Sequence, residues 1–580
     1  MPALSILIWL PLACGVLGAL SSLLTPPRAR TRVHARAAGS SSDATPSEPE
    51  APTQRADSGP QRIPGALALL GSLAALGLAI GYIADYHVGG AALQHVTDVA
   101  WIPTLGIHYE LGISGLNVLL VGLTTLLFAA AILAANLREW ERPRLFYFHF
   151  MLAESAVLGA FLAQDLALFV AFFDLMLIPF YFLILIGDPT APGPDRVKAT
   201  IKLVIYTLVG SLLMLAAAIA TGVLASQDHG TALNFSLSAL RHLPLSTGSQ
   251  EWIFLFFAAA FLVKMPAFPL HGWMPDGYRA MPIEVLMVFS GVLSKVGAYG
   301  FLAIVLPLFP KAAVHFQLLM LLIALASIIY GSAMAFTQTD ARLIAGFSSV
   351  AQLGFITLGI FALNPQGAQG ALLQMVNHGL VVAPLFFIIA LLAQRAGGSQ
   401  DIREMGGIAF RAPVLASLFL IVALATLAMP GSSNFVGEFL ILLGVFKAKL
   451  VIAIIAFSGV VMASVYALRM FIGAMHNRVG SGVKSRELTR TDAAVLVPLV
   501  AVIVFFAVYP QLALQRSEDS AKAAVASAQA LSRPATTAST TVTASATSAS
   551  AIRTAYSPPS GCHHGSKRVV CTGTLGVHHR

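Results

Sequence analysis

Apolar runs of about twenty residues recur along this chain, and each is long enough to cross a hydrocarbon core of about 30 Å. They fall near 4–24, 63–83, 113–136, 145–163, 166–187, 199–225, 251–270, 281–306, 313–335, 342–362, 368–394, 411–446, 450–474 and 491–514. That makes about fourteen spans. Only Gln164 and Asp165 divide 145–187 into two, and 411–446 is too long for one straight crossing. Pro430 and Gly431 interrupt it, so it reads as one broken helix. A soluble chain devotes about a quarter of its residues to Asp, Glu, Lys and Arg. Here 11% are charged and 57% hydrophobic, too little charge to clothe a water-facing surface. The pattern predicts an all-α polytopic membrane protein. Leu4–Leu24 lacks the basic flank of a signal peptide and counts as the first span.

The net charge of +9 does not form the single basic patch that nucleic acid requires, so no nucleic-acid partner is expected. The basic residues stand in short clusters between spans, as orientation signals do. Counting Arg342 and Arg411 at span boundaries, twenty of the twenty-four loop Lys and Arg follow odd-numbered spans. Those loops then face the cytoplasm and both termini face outward. Residues 27–62, rich in Ser, Pro, Ala and Arg, read as a disordered cytoplasmic insertion. The three cysteines, Cys14, Cys562 and Cys571, exclude a disulfide framework. Residues 515–580 read as a low-complexity tail, ending in Cys562-His563-His564 and His578-His579-Arg580. Their spacing fits no zinc pattern, so no metal ligand is assigned.

A charge at a span centre costs about 2.5–3.5 kcal/mol on insertion scales. The ionisable residues inside the spans are therefore informative: Glu154, Asp174, Lys202, Lys264, Lys295, His378, Glu438 and Arg469. They fit a chain of titratable groups crossing the bilayer. The blander alternative is interhelical ion pairing, or snorkelling near helix ends, and it weighs most on Lys202 and Arg469. Lys264 precedes Pro266 and Pro269, which remove backbone donors and clash with the preceding turn. A broken helix with a lysine at its break is how transporters build a mid-membrane polar site. Glu438 follows the second break, Pro430-Gly431-Ser432-Ser433-Asn434. The breaks occupy the fourth place of two consecutive five-span blocks, 4–8 and 9–13. An odd block length predicts two inverted five-helix repeats. The divisions are then 1–26 (first helix), 27–62, 63–144 (helices 2 and 3 with loops), 145–306 (first repeat), 313–474 (second repeat), 475–514 (a loop and helix 14) and 515–580. Burial favours a neutral lysine and a nearby carboxylate favours a charged one, so a carboxylate that moves switches the lysine. Asp174, at mid-span near Pro179, is the expected partner of Lys264.

The stretch from Lys264 to Pro282 resembles the K-x-P-x-x-P-x-H-x-W-L-P-D-A-x-x-x-A-P signature of the proton-translocating, antiporter-like subunits of respiratory complex I. Ser290–Gly300, Phe172–Leu183, Met375–Leu380 and Pro430–Leu440 resemble further motifs of that family. The likeness covers about 110–475 and is strongest to the chain M, or chain 4, type of NADH–quinone oxidoreductase. It implies outward proton translocation coupled to electron transfer from NADH to quinone, in a bacterial cytoplasmic membrane. It assigns Asp174 to the carboxylate beside the broken-helix lysine Lys264, and Lys295 and His378 to the central axis. Glu438 becomes the acid on the outward exit side, and Glu154 an upstream carboxylate. No redox centre is expected in this chain; NADH, FMN, iron–sulfur clusters and quinone belong to other subunits. Antiporter-like chains of the L and N types are the expected partners, with lipid around them.

Three residues depart from the family pattern. Asp174 replaces a glutamate, which shortens its reach to Lys264. Gln352 stands where relatives often carry histidine, weakening that relay step, and Ser114 replaces a common aspartate. Two other readings share the fold and both lysines: the D-type subunit of a multisubunit cation/proton antiporter and the membrane arm of a related hydrogenase. A purely structural scaffold is the rival from another class.

Overall fold

The computed structural model describes residues 3–24, 62–187, 193–480 and 482–532. The expected insertion, save Arg62, and the tail beyond 532 lie outside the described residues. Twelve helices are long and apolar enough to cross a membrane, and two interrupted helices accompany them.

The chain opens with α1 (Leu4–Leu24) and α2 (Arg62–Asp85), then a hairpin of β1 (Gln94–Ile102) and β2 (Ile107–Ile113). Then follow α3 (Val118–Ala135), α4 (Pro143–Leu162), α5 (Leu166–Leu175), α6 (Leu177–Ile186), α7 (Gly193–His229), α8 (Leu237–Leu240) and α9 (Thr247–Lys264). Next come α10 (Met274–Ala280), α11 (Ile283–Val288), α12 (Ser294–Gly300), α13 (Leu306–Leu308) and α14 (Pro310–His315). The rest is α15 (Gln317–Thr337), α16 (Ala341–Ile360), α17 (Pro365–Arg395), α18 (Pro413–Thr426), α19 (Ser433–Ala448), α20 (Leu450–Met475), α21 (Arg490–Val508) and α22 (Gln511–Ser532). From α11 to α13 the chain is one rod, Ile283–Leu308, with wider π turns at Phe289–Leu293 and Phe301–Val305.

Three helices form the centre. Ile283–Leu308 and α16 are wholly buried and α17 nearly so, whereas α1, α2, α7, α15, α20 and α21 bury less than half of their apolar stretches. The outer faces expose large apolar side chains such as Leu70, Leu212, Val451 and Ile454. An apolar girdle of that extent has no place in water, and it marks the lipid-facing surface of a multi-pass membrane protein.

Two expectations need correcting. The third span begins at Val118, not 113, because Ile107–Ile113 pairs antiparallel with β1, Asp98 opposite Glu110. Gly106 makes the hairpin turn in the left-handed region at φ 62°, which glycine adopts without strain. The tail does not begin at 515 as an unstructured tract: α22 runs to Ser532. Its Ala, Gln, Lys and Glu residues are strong helix formers. Ala513, Ser517, Ala521, Ala524 and Ala528 form one buried face, set against α17, α13 and α14. Gln369 Nε2 donates to the Leu514 carbonyl at 3.0 Å and Gly115 N–H to Ser520 Oγ at 3.1 Å.

Candidate functional site

α9 stops at Lys264 because Pro266 and Pro269 cannot continue the backbone ladder. The groups freed by the break find partners within the protein. Trp273 Nε1 donates to the Val263 carbonyl at 3.0 Å, and Phe268 N–H donates to Ser327 Oγ at 2.9 Å. A break inside a bilayer requires that satisfaction. Lys264 is buried, with Nζ 3.5 Å from the Phe173 carbonyl and 4.5 Å from the Phe173 ring centre.

Asp174 sits on α5, two residues before the helix is interrupted at Met176. Pro179 has no N–H to return to the Leu175 carbonyl there. The aspartate faces Ser211 and Lys264, and its buried Oδ1 accepts no hydrogen bond among the described residues. No ion pair joins the two among the described residues, in line with the shortened side chain. Beside Lys264 lies a cavity of ≈10 Å³ lined by Met176, Thr207, Trp273 and Leu293, about the volume one water needs.

Lys295 is wholly buried in the central rod. Its Nζ donates to the Ser290 carbonyl at 2.6 Å and to Ser294 Oγ at 3.3 Å. The π turn makes this possible: Ser294 N–H reaches back to the Phe289 carbonyl and leaves that of Ser290 to side chains. Gly291 and Gly379 bring the rod and α17 together; a Cβ on Gly379 would stand 2.6 Å from the Gly291 carbonyl oxygen. This approach sets His378 within electrostatic reach of Lys295. His378 is buried and its Nδ1 has no partner among the described residues.

Glu438 is buried in the first turns of α19. Its Oε1 accepts from Gln352 Nε2 at 2.7 Å and Gln374 Nε2 at 3.4 Å, while Gln374 Nε2 also donates to Gln352 Oε1 at 2.7 Å. Gln352 therefore touches the carboxylate directly, where the sequence suggests only a weakened relay. A second cavity of ≈10 Å³ connects His378 to Gln352 and is lined also by Ser348, Thr426 and Asn434. Both amide atoms of Asn434 are buried without hydrogen-bond partners among the described residues. This water-sized space thus reaches from His378 to Gln352, whose amide holds Glu438.

The remaining candidates lie off this line. Glu154 is wholly buried but turns to α2 and α1, accepting from Ser72 Oγ at 3.0 Å and standing near Cys14. Lys202 is part-exposed and pairs with Asp276 at 2.8 Å. Arg469 caps the end of α15 through the Phe336 and Gln338 carbonyls, a helix-end contact. Sequence reasoning missed Glu284, which is 2% exposed and held by Arg138 at 3.1 and 3.2 Å. An acid in a first helical turn looks like an ordinary complement to the helix dipole, so only its burial distinguishes it. Gln374 was missed as well, being uncharged.

Known proteins resemble this chain in sequence and fold. Residues 163–464 match the profile of the family described as NADH:quinone oxidoreductase/Mrp antiporter, transmembrane. NADH-quinone oxidoreductase subunit M of Escherichia coli K12 is 37% identical over 463 residues, 78% of this chain and 91% of the relative. The subunit M of Rhodobacter capsulatus is 36% identical over 438 residues, covering 74% and 84%. Among solved structures, respiratory complex I from Thermus thermophilus with bound NADH superposes with TM-score 0.76 at 28% identity, covering 90% of this chain and 99% of that one. The Mrp complex from Dietzia sp. DQ12-45-1b gives TM-score 0.73 at 19% identity, covering 91% and 99%, a likeness of fold alone.

Proposed function

The chain belongs to the NADH:quinone oxidoreductase/Mrp antiporter transmembrane family, among the subunit M type of NADH-quinone oxidoreductase, and we propose that it translocates protons outward, driven by electron transfer from NADH to quinone. The observation that carries this reading is the buried series itself. Lys264 with Asp174, then Lys295, His378 and Glu438, occupies interrupted helices and the wholly buried centre. A scaffold has no use for charges so costly to bury.

Each group has a role in that reading. Asp174 moves relative to Lys264 and so switches the lysine between holding and releasing its proton. The absence of a direct ion pair leaves the carboxylate free to do so. Lys264 passes the proton to the central axis, where Lys295 and His378 receive it. Gln352 and Gln374 hold Glu438 in place, and Glu438 releases the proton outward. Lys202 and Asp276, at the opposite end, guide protons in. Glu154 supplies a buried negative charge at the edge toward α1 and α2, facing away from the axis. The electron-transfer cofactors reside in other subunits, and antiporter-like chains of the L and N types flank this one in a bacterial cytoplasmic membrane. Both termini lie on the outer side.

The test is NADH-driven proton pumping with electron transfer, measured in inverted vesicles carrying Lys264→Ala or Asp174→Ala. Loss of pumping with normal assembly is expected, by about a hundredfold or more for loss of a positioned proton-transfer group. Pumping at the natural rate in both variants returns the scaffold or the cation/proton antiporter to first place.

A further inference from the structure

A second polar opening lies outside the series from Lys264 to Glu438. At the end of the first block a cavity of ≈570 Å³ is lined by Glu110, Gln164, Ser238, Arg241, Tyr299 and Asp519. At about 30 Å³ per water, it holds many solvent molecules. Its walls follow even-numbered spans: the segment after α2, the corner between α4 and α5, the segment between α7 and α9, and α22. The first three of these are Lys- and Arg-poor loops, which puts the cavity on the outward side.

The opening is built by a knitted cap. Gln164 N–H donates to the Glu110 carbonyl at 2.8 Å, Leu237 N–H to that of Gln164 at 2.8 Å, and Phe235 N–H to that of Gly106 at 3.3 Å. A Cβ on Gly106 would meet the Leu233 carbonyl oxygen, so the hairpin turn is pressed against the 231–236 segment. Glu110 is consequently 8% exposed while still lining the cavity. That burial pushes its carboxyl above the ordinary carboxylate range, although Ser236 bonds to it and opposes the shift.

The floor is Tyr299, 2% exposed, whose hydroxyl faces Asn117 and Gln164. Tyr299 stands four residues beyond Lys295 on the same face of the rod. The second π turn, Phe301–Val305, begins just past it, and Arg241 Nη2 meets the Ala303 carbonyl there at 3.4 Å. π turns inside α-helices gather at functional sites.

We propose that this vestibule is a second outward proton portal, in which Tyr299 hands protons from Lys295 to Glu110 and the outside. The Lys295 ammonium, which here donates to the Ser290 carbonyl, swings toward Tyr299 and gives a proton to the Tyr299 oxygen as the tyrosine's own hydroxyl proton leaves through vestibule water to the Glu110 carboxylate. The tyrosine ends unchanged, the lysine is left as a neutral amine, and the carboxylic acid loses its proton to bulk water. Arg241 holds the π turn in place and serves as a positioning residue. The portal rests on the proton-translocating role proposed above.

The test has two arms in the assembled complex. In the first, Cys14, Cys562 and Cys571 are replaced and Ala303→Cys is introduced, with Ile304→Cys as the buried control on the same rod. A membrane-impermeant thiol reagent added from the outer side is expected to modify Ala303→Cys and spare Ile304→Cys. Equal protection of both cysteines overturns the vestibule. In the second arm, Tyr299→Phe and Glu110→Gln are assayed for NADH-driven pumping beside Lys264→Ala. Pumping is expected to fall about tenfold, less than for loss of a sole proton-transfer group because Glu438 remains. Full pumping in both variants, with Lys264→Ala inactive, overturns the portal and leaves the proton-translocating reading standing. An active Lys264→Ala chain defeats that reading instead. Should Tyr299→Phe fail to assemble, block of pumping by the reagent on Ala303→Cys decides the matter.

Discussion

Lys295→Met is expected to abolish NADH-driven proton pumping while leaving the complex assembled. Methionine matches the lysine stem in length and packs without a charge. The substitution therefore removes the ammonium from a wholly buried site without opening a cavity. Among the described residues no carboxylate pairs with Lys295; its Nζ donates to the Ser290 carbonyl and Ser294 Oγ. An uncompensated buried charge weakens the fold, so stability stays level or rises. Activity moves the other way, by about a hundredfold or more, since both blocks meet at this lysine. A large loss of activity with undiminished stability separates a functional charge from a structural one. The scaffold reading predicts the opposite pair of results: poor assembly, or full activity.

The second large effect is expected at Glu438→Gln. The glutamine keeps an oxygen for the Gln352 and Gln374 amides, which now sit at 2.7 and 3.4 Å from Oε1. The local fold changes by no more than about 1–3 kcal/mol, the usual cost of disturbing a buried polar group. What disappears is a carboxylate that can take up and release a proton. Pumping should fall about a hundredfold, with His378 and Gln352 still in place, and thermal denaturation of the purified complex should shift little. Retained pumping would remove Glu438 from the path and leave the vestibule at Tyr299 as the only outward exit.

Much of this architecture is legible in the chain because a bilayer admits few solutions. Apolar runs of fixed length, Pro266 with Pro269, and Pro430 with Gly431 announce the spans and both interruptions before any packing is considered. The charges at 174, 264, 295, 378 and 438 are conspicuous for the same reason: hydrocarbon makes them expensive. What escapes is whatever puts neither a charge at a span centre nor a long apolar run in the chain. α22 presents a face of Ala and Ser and reads as low complexity until α17 covers it. The strands at 94–113 hold apolar residues, but His95, Thr97, Asp98, His108 and Glu110 break them into runs too short to announce an element between two spans. Gln352 looks like a lost relay when compared with histidine, and only the fold places its amide on Glu438. Glu284 hides in a helix start, where acids are ordinary, and its burial against Arg138 emerges only in three dimensions.

These omissions cluster where packing, rather than composition, builds the structure. Lys295 and His378 stand on helices surrounded by protein, whereas Asp174, Lys264 and Glu438 are side chains turned inward from helices that expose another face. The cap made of β1, β2, the 163–165 corner and α22 is built from backbone hydrogen bonds between short segments. Such contacts leave almost no trace in composition.

The measurement that bears most directly on the central claim is simultaneous recording of NADH oxidation and lumen acidification in sealed inverted vesicles, with this chain present or deleted. Acidification that starts with NADH, stops with quinone-site inhibition and disappears on deletion is the predicted result. Acidification that ignores NADH yet follows an imposed sodium gradient contradicts the account and makes the chain part of a cation/proton antiporter.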